Sequence, residues 1–251
     1  MSLYILLMAA CLALILLGVE RLGYHWQWYR IPRYLVIRDG TRMTAGPLLQ
    51  GLAVTFQITA VSLVAANAIG LLTALFRVSG SLAARTLSRG YLEFFRNTPL
   101  LTQLLFIYFV IAPMFELSAF SSAVLGLSLF EGAYISEIIR SGIVSIHKGQ
   151  WEASSSLGLN TRQTYVHVIL PQALRRVLPP LTSQAISLIK DSSLVSVIAI
   201  YDLTMRASVI VSETFLTFEI WFTVAAIYLT IAAVLSAGAH ALEVRLKGKF
   251  A

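Results

Sequence analysis

Charge is what this sequence is shortest of. Lys, Arg, Asp and Glu make up 12% of its 251 residues and hydrophobic residues 57%, whereas a soluble domain carries roughly twice that charged share. An ordinary water-soluble fold is excluded. Cysteine is scarcer still: Cys11 stands alone, so there is no intrachain disulfide or cysteine metal cluster, and the redox compartment stays unread. The histidines, His25, His147, His167 and His240, lack metal-ligand spacing. No nucleophile and base constellation stands out, and no Gly-x-x-x-x-Gly-Lys phosphate loop occurs. The chain therefore offers no catalytic residue, no metal site and no nucleotide loop of its own. Internal repeats and low-complexity tracts are equally absent.

Apolar length is plentiful instead. Uncharged or nearly uncharged stretches run from Leu3 to Val19, Pro47 to Phe76, Asn97 to Phe115, Leu117 to Ile139, Val177 to Tyr201 and Ile220 to Leu242. Each approaches or exceeds the roughly 20 residues that cross a bilayer as a helix. The sequence thus predicts an all-α polytopic membrane protein with about six transmembrane helices. The first stretch reads as a retained helix. Met8-Ala9-Ala10-Cys11 suggests a processed signal as the alternative, but no basic residue precedes the run and it continues straight through Cys11. The Pro47 stretch is longer than one crossing needs, so Pro47 to Leu52 is expected at the interface unless the helix tilts strongly. Pro113 is expected to close its helix, and Pro171, Pro179 and Pro180 to limit helix around a long connection.

The net charge of +7 is dispersed between the apolar stretches rather than gathered into a tract. That suits loops facing anionic headgroups and not nucleic acid. With both termini on one side, that side holds twelve Lys and Arg against six opposite, which places the termini in the cytoplasm. The segment from Glu20 to Thr44 then lies outside. Its interleaved aromatic and basic residues, among them Trp26, Trp28, Tyr29 and Tyr34, suit a stretch lying along the outer interface.

Ionisable groups inside these stretches each cost about 2.5–3.5 kcal/mol on insertion scales and need partners or a wet cavity. Glu137 and Arg140 stand three apart, as do Glu93 and Arg96, so each pair satisfies itself on one helix. Glu131 has no basic neighbour at three or four positions. Two readings stay open: it faces a translocation cavity and holds an ammonium group, or it is a protonated or helix-bonded Glu buried between subunits. Arg206, just beyond the fourth core helix, either attracts a carboxylate or anchors the interface.

The connection from Ser141 to Arg176 is long and organised, as functional loops are. Trp151 to Leu157 reads as a short helix, Gly158 permits a left-handed turn, and Asn160 or Thr161 caps a second helix running toward Pro171. The result is a compact projecting knob. The stretch GQWEASSSLGLNTRQTYVHVILPQALR, Gly149 to Arg175, resembles the cytoplasmic signature of bacterial ABC importer permeases: Glu-Ala-Ala, three residues, Gly, nine residues, Ile, one residue, Leu-Pro. Glu152, Ala153, Gly158, Leu170 and Pro171 match in register, while Ser154 and Val168 depart mildly.

The resemblance extends over nearly all of the chain from Gly51 onward. GLAVTFQIT, FFRNTPLLTQLLFIYF, EGAYISEIIRSGI and LIKDSSLVSVIAI look like the polar amino acid subgroup, and Ser128 to Ile143 is most similar to glutamate and aspartate permeases. The resemblance implies a five-helix transporter domain over residues 47–251, with coupling loop 141–176, preceded by an additional helix and outer segment over residues 1–46. It also implies that the knob docks on an ATPase subunit. ATP and Mg would be bound there, so this chain would carry no cofactor and be no enzyme by itself. The implied partners are two ATPase copies, a second permease chain, an extracytoplasmic solute-binding protein, membrane lipid and a polar amino acid, in a bacterial inner membrane. Lys190 and Asp191, which neutralise each other, and Glu137 with Arg140 are expected in gating or packing; Glu131 and Arg206 are the candidates for the substrate path. The rival reading is an ion-driven secondary transporter or channel using Glu131, Glu137 and Asp191. Six helices without an inverted repeat, together with the organised knob, count against it.

Overall fold

The computed structural model describes residues 24–40 and 42–248; the helix expected between Leu3 and Val19 lies outside them. A turn at Trp28–Arg30 and one helical turn at Pro32–Leu35 lead into a hairpin of β1 (Val36–Asp39) and β2 (Arg42–Ala45), paired Val36 to Ala45 and Asp39 to Arg42. The all-α expectation is met apart from this ribbon. Its signal is the Asp39-Gly40 pair after Val36 and Ile37, with Gly40 at φ +59° giving the left-handed residue a tight hairpin needs.

Helix α1, Pro47–Val78, starts with proline in its first turn, where the missing N–H costs nothing, and runs unbroken for 32 residues. Helix α2, Leu82–Asn97, was not foreseen as a helix. Ser81 caps it by accepting the Ala84 N–H, and it meets α3, Leu100–Phe115, at 105°. Helix α4 is Ala119–Val144, capped by Ser118. The knob follows as α5, Lys148–Ser156, and the start of α6, Thr161–Ile198. A bend of 50° separates α6 from α7, Leu203–Thr214, and α8, Thr217–Gly248, completes the described chain. Among the described residues α1, α4 and Thr217–Ala241 of α8 are long and apolar enough to cross a membrane singly. The α2–α3 and α6–α7 pairs supply two further, bent spans. The five expected core spans are thus three straight helices and two broken ones.

Proline placement corrects the sequence reading. The α3 helix passes Pro113 and ends at Phe115, with Glu116 in the left-handed region. It passes because a π-helical turn, Ile107–Ile111, widens the backbone just before the ring. The same device, Thr164–Ile169, precedes Pro171, and α-helix then continues through Pro179 and Pro180 to Asp191. The knob's second helix and the following span are therefore one piece.

Small residues set the packing at the centre. A Cβ on Gly70 of α1 would come within 2.5 Å of the Ile135 side chain, and one on Gly132 of α4 within 2.9 Å of Ile69, so the two helices touch almost backbone to backbone. Gly142 does the same for α4 and α6 at Val177. One apolar cluster, including Ile58, Leu104, Leu127, Leu188 and Ile198, joins α1, α3, α4 and α6. A second, around Leu48, Leu203, Leu216 and Ile220, joins the start of α1 to α7 and α8 at the end of the bundle away from the knob.

Candidate functional site

The knob is built from local signals. His147 caps α5 by accepting the Gly149 N–H on Nδ1 at 3.0 Å. Gly158, at φ +73°, turns the corner, its N–H bonding the Ser155 carbonyl and that of Leu159 the Ser154 carbonyl. Asn160 and Gln163 then form a reciprocal capping box at the start of α6. Beneath the corner, Trp151 meets Tyr165 edge to face at 5.2 Å over Ile143, Ile146, Ile169 and Ala173. Arg176 clamps the base by donating to the Ser145 carbonyl. Ser154 is buried, which accounts for a small side chain there. Glu152 and Ala153 are exposed, as are Gly158, Leu170 and Pro171. Glu152 pairs with Lys148 at 3.2 Å, both heads in solvent, a contact of a few tenths of a kcal/mol. Leu157, 79% exposed at the corner, is an uncovered apolar tip.

Above the knob, at the same end of the bundle, Glu137 ties three helices together. It accepts from Arg77 at the end of α1 and from Arg140 at 3.0 Å, and Arg96 of α2 stands 4.0 Å away. The Glu137–Arg140 pair forms as expected. The Glu93–Arg96 pair does not: Arg96 turns over the Tyr134 ring at 5.3 Å and toward Glu137, and Glu93 accepts from Asn97 instead. Arg77, sixty residues from its partner, carried no local signal.

Glu131 is fully buried inside the chain, accepting a hydrogen bond from Gln184 of α6, with the Asp191 carboxyl beside it. Lys190 is exposed and Asp191 half-buried, so these neighbours face different surroundings. Arg206 belongs to another cluster. Half-buried on α7, it lies over the Tyr201 ring at 5.0 Å, and its Cγ would meet a Cβ on Gly51 at 2.8 Å. Asp202, passed over in the sequence, is fully buried there and caps α7 by accepting the Met205 N–H at 2.8 Å. An Asp ahead of Leu-Thr-Met-Arg is an N-cap signal that would have found it. The structure thus brings Glu131, Gln184 and Asp191 together, and Arg77, Arg140 and Glu137, but leaves Glu131 and Arg206 apart.

Comparison with known proteins decides the family. The model of binding-protein-dependent transport system inner membrane components matches residues 66–248. The chain belongs to this family. The permease is 41% identical over 203 residues to the glutamine transport system permease protein of Escherichia coli strain K12, covering 80% of this chain and 93% of that one. It is 42% identical over 212 residues to the L-cystine transport system permease protein of Bacillus subtilis strain 168, covering 83% and 90%. Among solved structures, an amino acid ABC transporter crystallised with histidines matches with a TM-score of 0.75 at 36% identity, covering 79% of the permease and 94% of that chain. An inward-facing methionine ABC transporter shares the fold, with a TM-score of 0.70 at 19% identity and coverage of 80% and 96%. The permease is accordingly a multi-pass membrane protein of the ABC importer type.

Proposed function

We propose that this permease carries a polar amino acid across the membrane, driven by ATP hydrolysis in separate subunits. Membership in a binding-protein-dependent family supports a partner ATPase and a substrate-binding protein. Relatives named for glutamine and cystine, and a structural neighbour named for an amino acid, support the substrate class. The observation that carries the coupling reading is the knob itself: two capped helices with a left-handed glycine corner, braced by Trp151 and Tyr165 and continuous with α6.

In this reading two permease chains enclose one path, and each knob seats in one of two ATPase copies where ATP and Mg are held. Glu152, Ala153 and Gly158 meet the ATPase, and Leu170 and Pro171 set the start of the rigid span. The knob side and both termini face the cytoplasm of a bacterial inner membrane. Glu131 and Arg206 contribute to the amino acid path, while Lys190, Asp191, Glu137 and Arg140 serve gating and packing.

The experiment is uptake into proteoliposomes holding permease, ATPase and binding protein. Gly158→Leu is expected to abolish ATP-dependent accumulation and to release the ATPase on purification. Uptake that persists without ATP and collapses with an uncoupler would overturn the reading in favour of an ion-driven carrier. Competition by glutamine, cystine, glutamate and aspartate separates amide, sulfur and acidic preferences. Unchanged transport affinity in both Glu131→Gln and Arg206→Gln would remove those two from the path.

A further inference from the structure

Helix α2 carries a pattern that transport of an amino acid does not require. Arg85, Arg89 and Arg96 fall on one face, within about 40° of each other at 100° per residue, and Leu87, Tyr91 and Phe94 lie opposite. Leu87 and Phe94 are 71% and 58% exposed, while Tyr91 between them turns to α4 and donates to the Leu129 carbonyl, so the apolar face is uncovered at its two ends. The helix turns by 105° from α3 and so does not continue its axis. As the knob-side arm of the bent α2–α3 span, a 16-residue helix of this kind can lay its apolar face in the acyl region at the membrane surface. Its arginines then stand at the depth of lipid phosphates, in the leaflet on the knob side.

Two of those arginines, Arg89 and Arg96, line a cavity. Arg77, Arg89 and Arg96, with Leu92, Glu93, Asn97, Tyr134 and Glu137, enclose about 330 Å³ between α1, α2 and α4. Of its carboxylates, Glu137 is ion-paired with Arg77 and Arg140, whereas Glu93 keeps its charge and accepts only from the Asn97 amide, so the lining holds three arginines against one uncompensated carboxylate. Arg89 is exposed, and the ion pairs among the described residues leave it without a carboxylate. Arg96 is held at the full 4.0 Å from Glu137 and fixed over Tyr134, its remaining N–H groups free to face the cavity. Two guanidinium groups with spare donors are what a phosphate monoanion requires. On the opposite face of α2 lies a mainly apolar groove formed by Phe94, Phe95, Phe106, Ile107, Ile111 and Leu129, with Thr98, Thr102 and Gln103 also in its lining. An acyl-lined face and a basic cavity on one helix fit a lipid better than a free ion.

We propose that this cavity binds the phosphate of an anionic phospholipid through Arg89 and Arg96, holding α2 against the membrane surface. Such a site ties α2, and through Glu137 the ends of α1 and α4, to the headgroup plane.

The test is native mass spectrometry of the full-length permease in detergent, titrated with phosphatidylglycerol, phosphatidylcholine or glycerol 3-phosphate. Phosphatidylglycerol is expected to be retained in preference to phosphatidylcholine. Arg89→Gln with Arg96→Gln should weaken it about thirtyfold, the combined strength of two basic contacts to anionic lipid. The paired Lys variants should keep most of the affinity, and Arg162→Gln, on the knob, should leave it unchanged. Equal retention of both lipids, or no loss in the Gln pair, would overturn the proposal. Glycerol 3-phosphate bound as tightly as the lipid would overturn it in favour of a soluble phosphate. A thermal melt of the Gln pair within a few degrees of the parent excludes misfolding as the cause of a loss, and Arg89→Gln alone, which removes none of the ion pairs among the described residues, should already weaken binding severalfold.

Discussion

Gly158 has nothing within 4 Å of where a Cβ would stand, yet its φ is +73°. Substitution there acts through the backbone alone. Gly158→Val should cost about 1–2 kcal/mol, and Gly158→Asn much less, because Asn tolerates the left-handed region. Thermal unfolding of the purified permease reads both. Gln184 is the opposite case, with a role set entirely by its surroundings. Gln184→Leu removes the donor to a fully buried Glu131 and should destabilise by about 1–3 kcal/mol, measured in the same melts. The two residues also show what single positions reveal. Gly158 and Asn160 were legible because corner and cap chemistry reaches only three residues along the chain. Gln184 was invisible because its partner lies 53 residues away and nothing local marks it.

Between elements, close approach and shared charge do the holding. Gly132→Leu would drive a side chain into Ile69 and part α1 from α4; folded permease should disappear from the membrane fraction, whereas Gly132→Ala should be recovered in reduced amount. Glu137→Gln leaves Arg77 and Arg140 facing one another across a part-buried site, at a cost of about 1–3 kcal/mol. Adding Arg77→Gln should restore part of that loss, and a double-mutant cycle on melting temperature measures it. The five core stretches were readable from apolar length, and the knob from its turn residues. The proline boundaries were misread because a π-helical turn, which frees the carbonyl that the ring would strike, leaves no mark in composition. Helix α2 leaves no mark in apolar length because its arginines interrupt the run.

Across the whole molecule, the described N-terminal segment is fastened to α8 at the end away from the knob. The Tyr24 hydroxyl and the Gln27 N–H both donate to Glu219, and Trp26 and Trp28 stack at 5.7 Å beside Phe222. Burial, the bond to Glu219 and that carboxylate's charge push the Tyr24 phenol from 10.0 up to about 12. A raised value means the folded state holds the proton more tightly. The clasp is therefore fully present below pH 10 and lost as pH rises from there through about 12. Limited proteolysis near residue 24 should accelerate over that interval, and already at neutral pH in Tyr24→Phe. At this scale the sequence disclosed the five core stretches and the projecting knob, but not which ends meet, since the clasp joins residues 195 apart. Helix α6 has the widest reach. From Thr161 to Asp191 it is an unbroken strut of about 45 Å, prolines included. No loop interrupts it between root and tip. The Asn160 corner and the residues beside Glu131, Gln184 and Asp191, thus belong to one and the same helix.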